Sequence, residues 1–174
     1  DFMTPTHVKD IAQKGHEIAG HTVTHTDLTM LSRSAVNREI KNSKTYLEGI
    51  ICSKITSFAY PYGSVNTTIK NLLKSAGYTS ARGTDEETFN QTTTDKYDLK
   101  NECVLNTTSL SQVKARIDAA KTNKQWYVLC LHEIKTGGDE YSMTPAAFQE
   151  LVNYIKSSGI KTVTVRQGRA LMAN

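Results

Sequence analysis

Gly15-His16-Glu17-Ile18-Ala19-Gly20-His21-Thr22-Val23-Thr24-His25 decides how the rest of the chain is read. Two histidines four residues apart would share one face of a helix, and such a pair can hold one metal ion. Thr22, Val23 and Thr24 are all β-branched, however, which disfavours a helix. The residue after His21 is Thr, where the helical zinc-protease motif has its glutamate base. The stretch therefore reads as a strand, His16 to Gly20, running into a turn that carries His21 and His25. Spacing alone leaves surface or hydrogen-bonded histidines open beside metal ligands.

Working outward, Thr4-Pro5 before His7 to Lys14 predicts a capped helix that stops at Gly15. Ser32 to Leu47 predicts a second helix, with Val36, Ile40 and Leu47 on one side. Ile55 to Tyr60 reads as a strand ending in the turn Pro61-Tyr62-Gly63. A helix from Asn66 to Ala76 stops at Gly77, before a short strand from Tyr78 to Ala81. The polar, Thr-rich segment 83–100 reads as a long surface loop. Glu102 to Leu105 is a candidate strand and Ser109 to Lys121 a helix. Trp126 to Leu131 is the strongest strand, an apolar run suited to burial on both faces. Thr144-Pro145 opens a helix to Lys156 that Gly159 stops, and Lys161 to Val165 is a last strand before a short terminal helix.

Alternating strands and helices predict a parallel α/β architecture in a single domain spanning 1–174. Chemistry in such folds collects at the carboxyl ends of strands. His21 and His25, the turn Tyr60 to Gly63, Arg82, and His132 all stand where a predicted strand ends. The Pro61-Tyr62-Gly63 turn suits backbone N–H groups aimed into an oxyanion site, although such turns also serve plain packing. His132, at the exit of Val128-Leu129-Cys130-Leu131, suits a general acid or base or, equally, a hydrogen-bonded core histidine.

The chain has 174 residues, 38% hydrophobic and 22% charged, with a formal net charge of +4. That length buries a core without staples. The basic residues are scattered, which argues against nucleic acid, and no apolar run approaches the roughly 18 residues of a membrane span. Cys52, Cys103 and Cys130 are odd in number and form no CxxC pair, so neither a disulfide scaffold nor a zinc or redox site is expected. Cys130, within its apolar run, reads as a buried thiol.

Taken together, Gly15 to His25 with Asp27-Leu28-Thr29, Phe58-Ala59-Tyr60-Pro61-Tyr62-Gly63, and Leu131-His132 resemble the polysaccharide deacetylases, carbohydrate esterase family four with the NodB-homology domain. The resemblance implies a distorted (β/α) barrel and a divalent metal, usually zinc, held here by His21 and His25. It implies His132 as the acid that protonates the leaving group, Leu131 lining the acetyl pocket, and the Tyr62 N–H stabilising the oxyanion. Tyr60, Pro61 and Arg82 join that pocket by position, Arg82 standing in for an arginine that this sequence replaces with Ala59. The family's third ligand and its base come from an Asp-Asp motif on the first barrel strand. No Asp-Asp pair occurs here. The expectation is thus an N-terminally incomplete domain acting on an acetylated polysaccharide, secreted or at the cell surface, and self-associating through an exposed sheet edge. The alternative is a catalytically impaired carbohydrate-binding domain on the same fold.

Overall fold

A computed structural model describes residues 3–84 and 89–172. In chain order the elements are α1 (Pro5–Gln13), α2 (Arg33–Ile51), β1 (Ser57–Ala59), α3 (Thr67–Ser75), β2 (Ser80–Arg82), β3 (Phe89–Asn90) and β4 (Glu102–Cys103). There follow α4 (Leu110–Asn123), β5 (Trp126–Tyr127), β6 (Leu129–Cys130), β7 (Glu133–Ile134), β8 (Ser142–Met143), α5 (Pro145–Ser158) and α6 (Val165–Leu171). The chain is mixed α/β and divides into two compact units. The first is Asp1–Gly83, Thr94–Leu99 and Val163–Asn174; the second is Thr84–Thr93 and Lys100–Thr162.

In the first unit β1 and β2 pair in parallel, Ser57 opposite Ser80 and Ala59 opposite Arg82. Isolated parallel bridges extend the ladder on both sides, Gly20 to Phe58 and Arg82 to Leu99. The helices obey their local signals. Thr4 and His7 form a reciprocal capping box on α1 with Pro5 in its first turn, Ser32 caps α2, and the Asn66 side chain accepts from Ile69 N–H to start α3. Each cap satisfies a backbone donor that the helix itself leaves unpaired. Leu28, Val36, Ile40, Ile55, Phe58, Ile69, Leu73 and Tyr78 pack into one core.

Three expectations for this unit need correcting. His16 to Ala19 forms no strand; only Gly20 bridges to its neighbour. Segment 83–100 is not a surface loop throughout. Tyr97 and Leu99 are 6% and 1% exposed, and Lys70 reaches Asp95 and Asp98 at 3.0 and 2.8 Å, pinning this stretch to α3. Residues 85–88 of that segment lie outside the described residues. Nor is Lys161 to Val165 a strand: Thr164 caps α6 in a second capping box with Gln167, so the polar Thr-x-x-Gln pattern prevails over the β-branched run.

The second unit has its own core of Val104, Val113, Ile117, Met143 and Leu151. Ser109 and Gln112 form the capping box of α4, and Gly159 ends α5 with a left-handed φ of 66°. The predicted strand from Trp126 to Leu131 is broken at Val128. Its first half pairs antiparallel with β3 and its second half in parallel with β4. Only Cys130 in that run is fully buried, so it is not a strand covered on both faces. Aromatic and apolar composition alone does not separate such a half-covered pair from a central strand.

Candidate functional site

In the first unit the ends of three parallel segments carry the site residues. Gly20 makes two ladder bonds, its N–H donating to the Ser57 carbonyl at 3.0 Å and its carbonyl accepting from Ala59 at 2.9 Å. A Cβ built on Gly20 would lie 2.2 Å from Tyr78 Oη and 2.9 Å from Phe58 Cδ2. Only glycine fits there, and this close approach delivers His21 beside the end of β1. His21 Nδ1–H then donates to the Ala59 carbonyl at 2.8 Å. A carbonyl cannot donate, so the bond selects the tautomer with its lone pair on Nε2, the arrangement seen at metal-ligating histidines.

The loop that follows is bent back on itself. Thr22 and His25 have φ of 67° and 57°, and Tyr62 has φ of 58°. These are three of the five non-glycine residues with positive φ among the described residues. Such backbone is uphill for any side chain and more so for β-branched Thr. Its supports are visible. Thr22 Oγ1 accepts from His25 N–H at 3.0 Å. Glu39, on α2, accepts from the N–H groups of Val23 and Thr24 at 2.8 and 3.0 Å and from the Thr24 hydroxyl. Burial raises the Glu39 pKa, but these donors and nearby Arg38 outweigh it, leaving the carboxyl below its ordinary value. Asp27 is also held below its usual range, by bonds from the Thr29 and Ser64 side chains and the Thr29 N–H.

The product is an aromatic cluster. The His21 and His25 ring centroids are 4.8 Å apart at 76°, and the Tyr62 ring stands 5.0 Å from His25. Tyr62 is 67% exposed. Tyr60 is otherwise disposed: it is 1% exposed and its hydroxyl donates to the Tyr97 carbonyl at 2.8 Å. Its side chain is core, and burial first, then Asp98 and Asp95, push its pKa far up. Pro61 is buried in the turn. Arg82 closes β2, its carbonyl accepting from Tyr60 N–H at 3.1 Å. Glu17 joins this framework, accepting from Ser57 Oγ at 2.6 Å and from Arg166 N–H at 2.9 Å.

The pair offers two imidazole nitrogens, donors that suit zinc. Among the described residues no carboxylate, cysteine or further histidine completes a three-donor group with them.

His132 and Leu131 belong to the second unit. His132 is exposed and Leu131 half-buried; the His132 ring lies 5.0 Å from that of Tyr141, and Cys103 Sγ stands 3.6 Å from His132 Nδ1. A groove in this unit is lined by Leu105, Thr108, Leu110, Ser142, Met143 and Ala147 among others, without His132 or Leu131.

Residues 3–81 match the family model described as polysaccharide deacetylase. Over that stretch, just under half of its length, the chain is similar to the polysaccharide deacetylases. A peptidoglycan-N-acetylglucosamine deacetylase of Bacillus cereus is 25% identical over 94% of the chain and 68% of its own length. A chitooligosaccharide deacetylase of Rhizobium leguminosarum bv. trifolii is 31% identical, over 44% of the chain and 39% of that protein. Among solved structures, the Xyl-CE4 domain of a multidomain xylanase from the hindgut metagenome of Trinervitermes trinervoides superposes with a TM-score of 0.64 at 19% identity. That match covers 97% of this chain and 70% of that one. The fold is therefore the (β/α) fold of these deacetylases, although the four strand pairs described here close no barrel.

Glu39 and Glu17 were not among the candidates read from sequence. Glu39 sits three residues after Val36 and beside Ile40, so a carboxylate flanking the inward stripe of α2 was the signal available. The grouping of Cys103 and Cys130 with His132 was also missed, because it depends on strand register.

Proposed function

We propose that this chain serves a metal-dependent hydrolase that removes acetyl groups, as N- or O-acetyl, from a polysaccharide or its oligomers. One observation carries the reading: the His21 and His25 rings meet edge-on with centroids 4.8 Å apart, while the Ala59 carbonyl holds His21 Nδ1 and leaves Nε2 as the nitrogen that could bind a metal. A divalent ion of the zinc type bound there would polarise the acetyl carbonyl and lower the pKa of a bound water. The chain's own residues do the rest. Glu39 keeps the strained loop in place, and the Tyr62 backbone N–H donates to the oxyanion of the tetrahedral intermediate. By the family resemblance, Leu131 and His132 of the second unit would take the roles of acetyl-pocket residue and leaving-group acid. The likeness to a peptidoglycan-N-acetylglucosamine deacetylase and a chitooligosaccharide deacetylase favours an N-acetylglucosamine polymer as substrate, met outside the cytoplasm.

Two nitrogens do not complete a catalytic zinc site, which takes three protein ligands. The absence of an Asp-Asp pair from the sequence therefore favours one second reading, a carbohydrate-binding domain with impaired catalysis. Metal content and acetate release from acetylated glucosamine oligomers and acetylated xylan separate the two. The assays belong on this chain and on any longer natural chain that contains it. His21→Ala is expected to lower zinc affinity at the histidine pair by tenfold or more, and His132→Ala to lower turnover by about 100-fold with the metal at His21 and His25 retained. Sugar binding with no acetate release from either substrate would establish the second reading. Unchanged metal content in His21→Ala, measured with the cysteines alkylated, would remove His21 from the ligand set.

A further inference from the structure

The second unit contains a group of metal-ligating side chains that the deacetylase reading leaves unused. Cys103 on β4 and Cys130 on β6 are direct partners in a parallel register. Side chains at directly paired positions leave the same face of a sheet, and neighbouring strands lie roughly 4.8 Å apart. His132 follows Cys130 by two residues, so the two-residue alternation returns its side chain to that face. One ligand atom from each of Cys103, Cys130 and His132 falls within 4.8 Å of the others, and none of the three cysteines is in a disulfide.

We propose that Cys103, Cys130 and His132 form a binding site for a thiophilic d10 cation, of the zinc or cadmium class. Two thiolates and one imidazole are the soft and borderline donors such ions select over carboxylate sites. In a tetrahedral site with Zn–S near 2.3 Å, neighbouring donor atoms stand about 3.8 Å apart. The observed group needs a contraction of about 1 Å, within reach of side-chain rotation. Cys130 is 7% exposed and supplies a sheltered anchor, while exposed His132 leaves the ion an entry side. Glu102, next to Cys103, is engaged elsewhere: Arg116 forms an ion pair with it and the Tyr127 hydroxyl donates to it at 2.5 Å. The fourth position is thus left to water or an exogenous ligand.

Occupancy has a consequence that rests on the deacetylase reading. An ion on His132 removes the proton donor, so zinc bound at this site inhibits acetate release. Binding itself is measured without activity. Cadmium is titrated into the chain under a non-thiol reductant, and ultraviolet thiolate-to-metal charge transfer is followed. Saturation at one equivalent is expected, with cadmium affinity lowered at least tenfold in Cys103→Ser and in Cys130→Ser. Cys52→Ser and His21→Ala should leave the band intact. On the unaltered chain, cadmium should slow alkylation of Cys103 at least tenfold and leave Cys52 reactive, which removes dependence on how the variants fold. A charge-transfer band that survives Cys103→Ser, or alkylation of Cys103 at the same rate with and without cadmium, overturns the site. No acetate release at any zinc level, with the cadmium band still forming, would count against the deacetylase reading alone.

Discussion

Glu39 is the residue on which the histidine loop most visibly depends. Its carboxylate takes two backbone N–H groups and a hydroxyl from Val23 and Thr24, next to backbone that Thr22 and His25 hold at positive φ. Charge-assisted bonds of this kind contribute about 1.5–3 kcal/mol each before the cost of fixing the side chain. Glu39→Ala is expected to cost about 1–3 kcal/mol by denaturant unfolding, and to raise backbone hydrogen exchange at Val23 and Thr24. The pH dependence follows from the direction of its pKa. The folded value lies below the ordinary 4.5, so this contribution is complete above about pH 4.5 and is lost as pH falls through the depressed folded value. Asp95, lowered by the Tyr97 N–H and Lys70 against its own desolvation, shifts stability in the same direction. A stability profile flat from pH 4.5 down to pH 2 would contradict both assignments.

At the scale of elements, Gly20 shows how a short parallel ladder sets a site. It lies against Tyr78 and Phe58 too closely for any Cβ, and its two bonds to β1 place His21 one residue beyond. Gly20→Ala must push the Tyr78 phenol or the ladder aside, and overpacking of this kind costs about 1–3 kcal/mol. A melting temperature unchanged by that substitution would show that the approach is looser than the geometry indicates. The helices were legible in advance because their signals are local: Thr4 with Pro5, Ser32, Asn66, Ser109 with Gln112, and Gly159 all act within one turn of themselves. The strands were less so. Trp126 to Leu131 divides between two partners, and residues 161–164 join no ladder among those described. A strand exists only when another segment accepts its hydrogen bonds, which no reading of its own residues reveals.

Across the whole molecule, the first unit's ladder is open at the Gly20 side, where His16 to Ala19 pair with no described neighbour. Open edges recruit strands. The chain is expected to self-associate with rising concentration, and light scattering that reports a monomer up to millimolar concentration would refute this. No helix among the described residues is long and apolar enough to cross a membrane. What the sequence by itself determined was the α/β class, the helices with their caps, and the resemblance to the polysaccharide deacetylases. These rest on period, capping chemistry and the ordered motifs from Gly15 to His25, Phe58 to Gly63 and Leu131 to His132. Only the tertiary structure decided that Tyr60 is core while Tyr62 faces His25, and that Tyr97 and Leu99 leave a polar segment to become buried. It alone placed Glu39 under the histidine loop and Cys103 opposite Cys130. Those facts are contacts between residues 15 to 37 positions apart, set by register and packing, and local composition carries no record of them.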